Sequence, residues 1–173
     1  MAGAVVTGRT LPFAAVRSTG IHHLDLVVSS LERSLPFYLE LLRPMGWKDV
    51  EEVDGERGET IHYIWGQGST VGLREKQSDA NPVPYDRYGV GVHHVCFEVD
   101  SREEVDERAE WLRAQGVTIE SGPKDYGYSE GYYAVFFYDP DGIKLEIVHR
   151  PRESDLVRRV AALEARLAEL EAR

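Results

Sequence analysis

The sequence predicts an α+β protein built from two tandem βαβββ units and followed by a C-terminal heptad helix. Three observations carry that prediction. The stretch Gly20-Ile21-His22-His23-Leu24-Asp25-Leu26-Val27-Val28-Ser29-Ser30 recurs as Gly91-Val92-His93-His94-Val95-Cys96-Phe97-Glu98-Val99-Asp100-Ser101, keeping the glycine, both histidines, one valine and the last serine. Each copy passes from a period of two into helical spacing. Turn residues then divide the chain after each helix into three further strands.

The first unit covers 19–76. From Ile21 to Val28 the residues His22, Leu24, Leu26 and Val28 alternate with His23, Asp25 and Val27, which is a strand with an apolar back and a more polar front. Ser29 and Ser30 offer an N-cap, and Glu32 three residues after Ser29 completes a capping box. Leu31, Leu35, Leu39 and Leu42 then run at helical spacing to about Arg43, where Pro44 and Gly46 stop the helix. Strands follow at Trp47–Val53, Thr60–Trp65 and Thr70–Lys76, separated by Asp54-Gly55 and Gly66-Gln67-Gly68.

A polar, proline-bearing linker over 77–90 leads to the second unit, 91–150. Its strand is Val92–Val99, its cap is Asp100 or Ser101 with Glu103 or Glu104, and its helix is marked by Val105, Ala109 and Leu112 and ended by Gly116. Strands at Val117–Glu120, Tyr132–Tyr138 and Ile143–His149 complete it. The last two are joined by the turn Asp139-Pro140-Asp141-Gly142, and a Tyr- and Gly-rich loop spans Lys124–Gly131. Residues 1–18 read as a flexible N-terminal arm.

The tail, 151–173, places Leu156, Val160, Leu163, Leu167 and Leu170 at alternating spacings of four and three, a heptad seam. With Val160 at a, Arg159 and Arg166 fall at g while Glu164 and Glu171 fall at e, which favours a parallel homodimer.

Composition narrows the function classes. The chain has 173 residues, enough for one well-buried domain, and 42% hydrophobic with 29% charged residues is ordinary for a globular protein. A formal net charge of −10 argues against nucleic acid as a partner, because neutralising phosphates requires clustered Lys and Arg. No apolar run reaches membrane-spanning length, and the first residues lack the basic start and apolar centre of a signal peptide. The single cysteine, Cys96, excludes an internal disulfide and suits a reducing cytoplasm.

The repeated double histidine is the strongest chemical signal. Neighbouring strand residues point to opposite faces, so each pair offers one imidazole to a shared site. His22 and His93 share the helix-facing side with the apolar residues, whereas His23 lies with Asp25, and His94 lies with Cys96 and Glu98. A third ligand is expected from an adjacent strand. Glu146 stands opposite the apolar Ile143, Leu145 and Ile147, where a carboxylate is costly to bury unless paired or metal-bound. His23, His94 and Glu146 together suit a divalent first-row metal with open positions, with Fe, Mn, Ni, Zn and Co all compatible. Among softer candidates, Tyr128, Tyr133 and Lys144 are placed to close over a small-molecule substrate or move a proton. Lys124 and the neighbouring Tyr126, Tyr132 and Tyr138 belong to the same cluster.

The two double-histidine strand starts, Ser34-Leu35-Pro36-Phe37-Tyr38 and Asp139-Pro140-Asp141-Gly142-Ile143-Lys144-Leu145-Glu146 resemble the vicinal oxygen chelate superfamily. This is the group of glyoxalase I, extradiol dioxygenases, methylmalonyl-CoA epimerase and the fosfomycin and bleomycin resistance proteins, and the likeness runs from Thr19 to Arg150. It implies a cupped, incomplete mixed-sheet barrel around a metal, with ligands on the first strand of each half and on the last strand, which are His23, His94 and Glu146. It also implies a fourth ligand in glyoxalase-type members on the fourth strand of the first half, where Gly72 stands, or Glu75 after a shift. The implied function is metal-dependent lyase, isomerase or ring-cleaving dioxygenase chemistry on vicinal oxygens of a small substrate. The alternative is a non-catalytic, bleomycin-resistance-like binding protein. The resemblance leaves open whether a site lies within one chain or is shared across a dimer.

Overall fold

The computed structural model describes residues 20–152 apart from 67, 79 and 81–84, together with positions 160, 164, 166 and 170. The N-terminal arm expected at 1–18 and most of the heptad seam lie outside the described residues. The four tail positions are helical and exposed. No helix among the described residues is long and apolar enough to cross a membrane.

Both expected units are present. The first runs β1 (His23–Val28), α1 (Leu31–Leu42), β2 (Trp47–Asp54), β3 (Thr60–Gly66) and β4 (Ser69–Glu75), with a 3₁₀ turn at Arg43–Met45. The second runs β5 (Val95–Glu98), α2 (Arg102–Ala114), β6 (Ile119–Asp125), β7 (Tyr133–Tyr138) and β8 (Lys144–His149). Each unit forms one four-stranded sheet, ordered β1-β4-β3-β2 and β5-β8-β7-β6. The first and last strands of each unit pair in parallel, as a helical crossover requires, and the others pair antiparallel.

The helix caps differ in one detail from the sequence reading. Ser101 caps α2 in a full capping box with Glu104, but α1 is capped by Ser30, whose side chain accepts from Arg33 N–H. Ser29 is used across the molecule instead: its N–H and hydroxyl both donate to Asp141, in the turn before β8. The carboxylate of Asp139 in that turn accepts from the buried Tyr38 hydroxyl at 2.8 Å.

The two halves share one core. Leu26, Val28, Ile64 and Leu73 on the back of the first sheet pack with Tyr38, Leu41 and Leu42 of α1. The same cluster continues through Phe97, Phe137, Leu145 and Ile147 to Val105, Ala109 and Leu112 of α2. Trp47 stands 5.8 Å from Phe97 and Phe37 stands 6.1 Å from Trp111, ring centre to ring centre, so aromatic pairs join the halves. The helix-bearing backs therefore face the shared interior. The front of the first sheet is left towards solvent, with Val27 58% and Trp65 37% exposed. On the front of the second sheet, Ala134, Phe136 and Val148 form a smaller cluster under Tyr126 and Tyr132 of the loop between β6 and β7.

Candidate metal centre

Glu146 is the centre of the second sheet's front face. Its register partners are Cys96 on β5 and Phe136 on β7. Only 1% of the residue is exposed, and a buried carboxylate is costly unless it is bound on both oxygens. Here Oε2 faces His94 Nε2 at 3.1 Å and Oε1 accepts from the Tyr132 hydroxyl at 2.6 Å. Burial and that hydrogen bond push the Tyr132 hydroxyl well above its ordinary pKa, so it stays a donor. Desolvation, then the Glu146 charge, likewise pushes the Cys96 thiol up and keeps it neutral.

Both double histidines sit at the open end of their sheets. His94 precedes β5, and its Nδ1 lies 2.8 Å from His93 Nδ1. In the first half His23 Nδ1 lies 3.0 Å from His22 Nδ1. His22 and His93 are exposed, contrary to the expectation that they pack towards the helices. The alternation of faces governs residues inside a ladder, and the ladders begin at His23 and Val95, leaving the outer histidines beyond the core. His22 instead turns an edge to Trp65, and His93 to Tyr88.

His23 stands on the front of the first sheet with Asp25. The Asp25 carboxylate accepts from Arg74 Nη2 at 2.5 Å and from the Tyr63 hydroxyl at 3.3 Å. Gly72, paired with Asp25 in register, makes room for that carboxylate, since a side chain there would collide with Asp25 and Tyr63. Glu75 is turned to the helix side, where it accepts from Leu31 N–H at 2.9 Å. Neither Gly72 nor Glu75 therefore supplies a fourth ligand. Among the described residues no three His, Cys, Asp or Glu side chains converge on one point. The structure brings His94 and Glu146 together and holds His23 on the other sheet.

The remaining candidates separate clearly. Tyr133 stands on the helix face, donating to Asp106 of α2 at 2.8 Å beneath the Arg102 guanidinium, so strand parity removes it from the site. Tyr128 is 71% exposed and stacks on Tyr126, one ring away from Tyr132. Lys144 shares the front face of β8 with Glu146 and donates to Glu120 at 2.7 Å. Two residues that the sequence did not single out join it: Glu120 on β6, and Arg87 from the linker, which donates to Glu120 and to the Tyr138 hydroxyl. Tyr132 is one of the five tyrosines between 126 and 138, and only its place at the mouth of β7 distinguishes it. A groove of about 790 Å³ follows the seam between the halves, lined by Trp47, Phe97 and Arg108 among others, and none of the three candidate ligands lines it.

Residues 20–147 match the family model described as the Glyoxalase/Bleomycin resistance protein/Dioxygenase superfamily. The chain belongs to this superfamily. Within it, the chain is 32% identical over 129 residues to the uncharacterized protein YqjT of Bacillus subtilis (strain 168), covering 74% of this chain and 97% of that protein. It is 31% identical over 139 residues to a lactoylglutathione lyase of Neisseria meningitidis, covering 78% of this chain and 94% of the lyase. The superfamily fold is evident in a glyoxylase/bleomycin resistance protein/dioxygenase domain from Frankia sp. EAN1pec, which superposes with a TM-score of 0.66 at 24% identity, over 78% of this chain and all of that one. The relatives of this chain thus include an enzyme.

Proposed function

We propose that the protein is a metal-dependent enzyme of this superfamily whose centre is completed by a second copy of the chain, with His94 and Glu146 from one copy and His23 from the other. The observation that supports it most is the pairing of the exposed His94, through Nε2, with the buried Glu146 carboxylate on the front of the second sheet, while the equivalent His23 is exposed on the front of the first. The shared core holds the two backs together, so a two-fold partner is the economical way to bring the fronts face to face. A two-fold axis makes two identical sites at once.

The donor set fits a divalent ion as far as one chain supplies it: an imidazole nitrogen and a carboxylate oxygen in contact, each with its outer atom already engaged. His93 faces the Nδ1 of His94, which directs Nε2 towards Glu146, and His22 does the same for His23. Tyr132 fixes the rotation of the Glu146 carboxylate through Oε1. A metal held there supplies Lewis-acid polarisation of substrate oxygens. The chain's own contribution is a pre-set carboxylate and a protonated tyrosine beside it, backed by the buried ring of Phe136.

Metal analysis of protein prepared without chelator tests this. We expect one divalent ion per chain, lost in His94→Ala and in His23→Ala. Equal metal content in wild type and both variants contradicts it. Tight small-molecule binding that survives complete metal removal, without turnover, would instead mark a binding protein.

A further inference from the structure

We propose that Tyr63 is a positioning residue for His23, tied by Asp25 across the gap at Gly72 so that an exposed imidazole is presented in one orientation. What that orientation serves rests on the metal centre proposed above; that it exists rests on the internal repeat.

The two sheets are built alike around the two proposed ligand histidines. In the second sheet, the row two residues beyond His94 is Cys96, Glu146 and Phe136, on β5, β8 and β7. In the first, the row two residues beyond His23 is Asp25, Gly72 and Tyr63, on β1, β4 and β3. Gly72 thus takes the place of Glu146, and Tyr63 that of Phe136. Both rings stand edge-on to their histidine. Phe136 lies 6.2 Å from the His94 ring at 70°, and Tyr63 lies 6.0 Å from the His23 ring at 75°.

His94 has a further hold in Glu146 Oε2, at 3.1 Å. Gly72 offers no side chain for that task, and its gap is used differently. A Cβ at 72 would collide with Asp25 Oδ1 and come within 2.7 Å of Tyr63 Cε1. The ring and the carboxylate therefore meet over β4, where the Tyr63 hydroxyl donates to Asp25 Oδ2 at 3.3 Å. Arg74 Nη2 donates to the same oxygen at 2.5 Å. Its Nη1 donates to Glu59 at 2.9 Å and to Glu56 at 3.1 Å, so the connection between β2 and β3 anchors the tie. Trp65, two residues along β3, stands edge-on to His22 at 6.0 Å. One strand thus gives a ring to each member of the double histidine.

Among the described residues Asp25 Oδ1 is buried without a hydrogen-bond partner. An unpaired buried acceptor costs stability, which a network serving the fold alone would avoid. A histidine at an exposed strand start otherwise samples several rotamers. Fixing it before a metal arrives lowers the ordering cost of binding.

NMR of the histidine rings in the metal-free full-length protein reads the positioning directly. We expect a nuclear Overhauser contact between the Tyr63 and His23 rings and one His23 rotamer. Tyr63→Leu, and Gly72→Ala which fills the gap, are expected to lose both, with the His94 signals unchanged as the check on the fold. Tyr63→Phe keeps the ring without the tie and is expected to admit a second His23 rotamer; it decides the matter should the other variants fail to fold. Zinc affinity, by chelator competition, is expected to fall about tenfold in Tyr63→Leu and Gly72→Ala. A wild-type protein without the ring contact, or a His23 ring that none of these variants moves, overturns the proposal. Zinc held through His23 with equal affinity in wild type and variants overturns it as well. Absence of zinc at His23, with the contact present and lost in the variants, refutes the metal centre and leaves the positioning of His23 standing.

Discussion

His93 Nδ1 lies 2.8 Å from His94 Nδ1, and the same contact recurs at 3.0 Å between His22 and His23. In the proposed centre, the doubled histidine supplies one ring as ligand and one that orients it, twice over. Outer partners of this kind set the rotation and tautomer of a ligand imidazole, and removing them typically costs ten- to a hundredfold in metal affinity. His93→Ala is expected to weaken metal binding by about that factor, measured by competition with a chelator. Tyr133→Phe, on the helix face, should leave the affinity unchanged.

The hydrogen bond from Tyr38 to Asp139 joins α1 of the first half to the turn before β8 of the second. Asp139 is 5% exposed, and Tyr38 is wholly buried. Tyr38→Phe removes the donor to Asp139 Oδ2 while keeping the ring, so the carboxylate loses a partner it cannot replace with water. The expected loss is about 1–3 kcal/mol in urea denaturation. An unchanged midpoint would show that this hydrogen bond adds nothing to what the apolar core and the Ser29–Asp141 contacts already hold together.

Acid stability should depend on Glu120. Burial raises its carboxyl, but hydrogen bonds from Lys144, Tyr138 and Arg87 outweigh that and hold it at about 2, below its ordinary 4.5. Between those values the unfolded chain binds the proton and the folded chain does not. The stability from this group is therefore present above about pH 4.5 and lost as the pH falls towards 2. Denaturation midpoints followed across that window should fall less steeply in Glu120→Gln than in wild type, and the variant should be the less stable protein at pH 7. Parallel slopes contradict the assignment.

How much of this was legible in the sequence follows from the range of each signal. The two βαβββ units were, because alternation, capping residues and turns are local; β5 came out shorter than expected because Val92, His93 and His94 precede the ladder and Val99 follows it, the carbonyls of Val92 and His93 accepting from Tyr85 instead. The roles of His22 and His93 were not, since alternation says nothing about residues outside a ladder. Tyr132 and Tyr133 are neighbours of opposite face, and the sequence does not say where β7 begins; its pairing with β8 runs unbroken from Tyr133 to Tyr138, which puts Tyr133 on the helix side and leaves Tyr132 just before the strand. The cluster of Arg87, Glu120 and Lys144 joins a linker to two strands, and no local pattern reports such a contact. The separation of His23 from His94 and Glu146 depends on how the backs of the sheets pack, which lies beyond any motif.

The central claim is that each centre draws His23 from one chain and His94 with Glu146 from another. Mixing two inactive variants tests it most directly. His23→Ala retains the His94–Glu146 half, and His94→Ala/Glu146→Gln retains His23. Each alone is expected to bind no metal at the centre. After unfolding and refolding together, mixed dimers contain one complete centre, so metal binding should return at one ion per mixed dimer. Mixed protein that forms dimers yet binds no more metal than its two components apart would contradict the account.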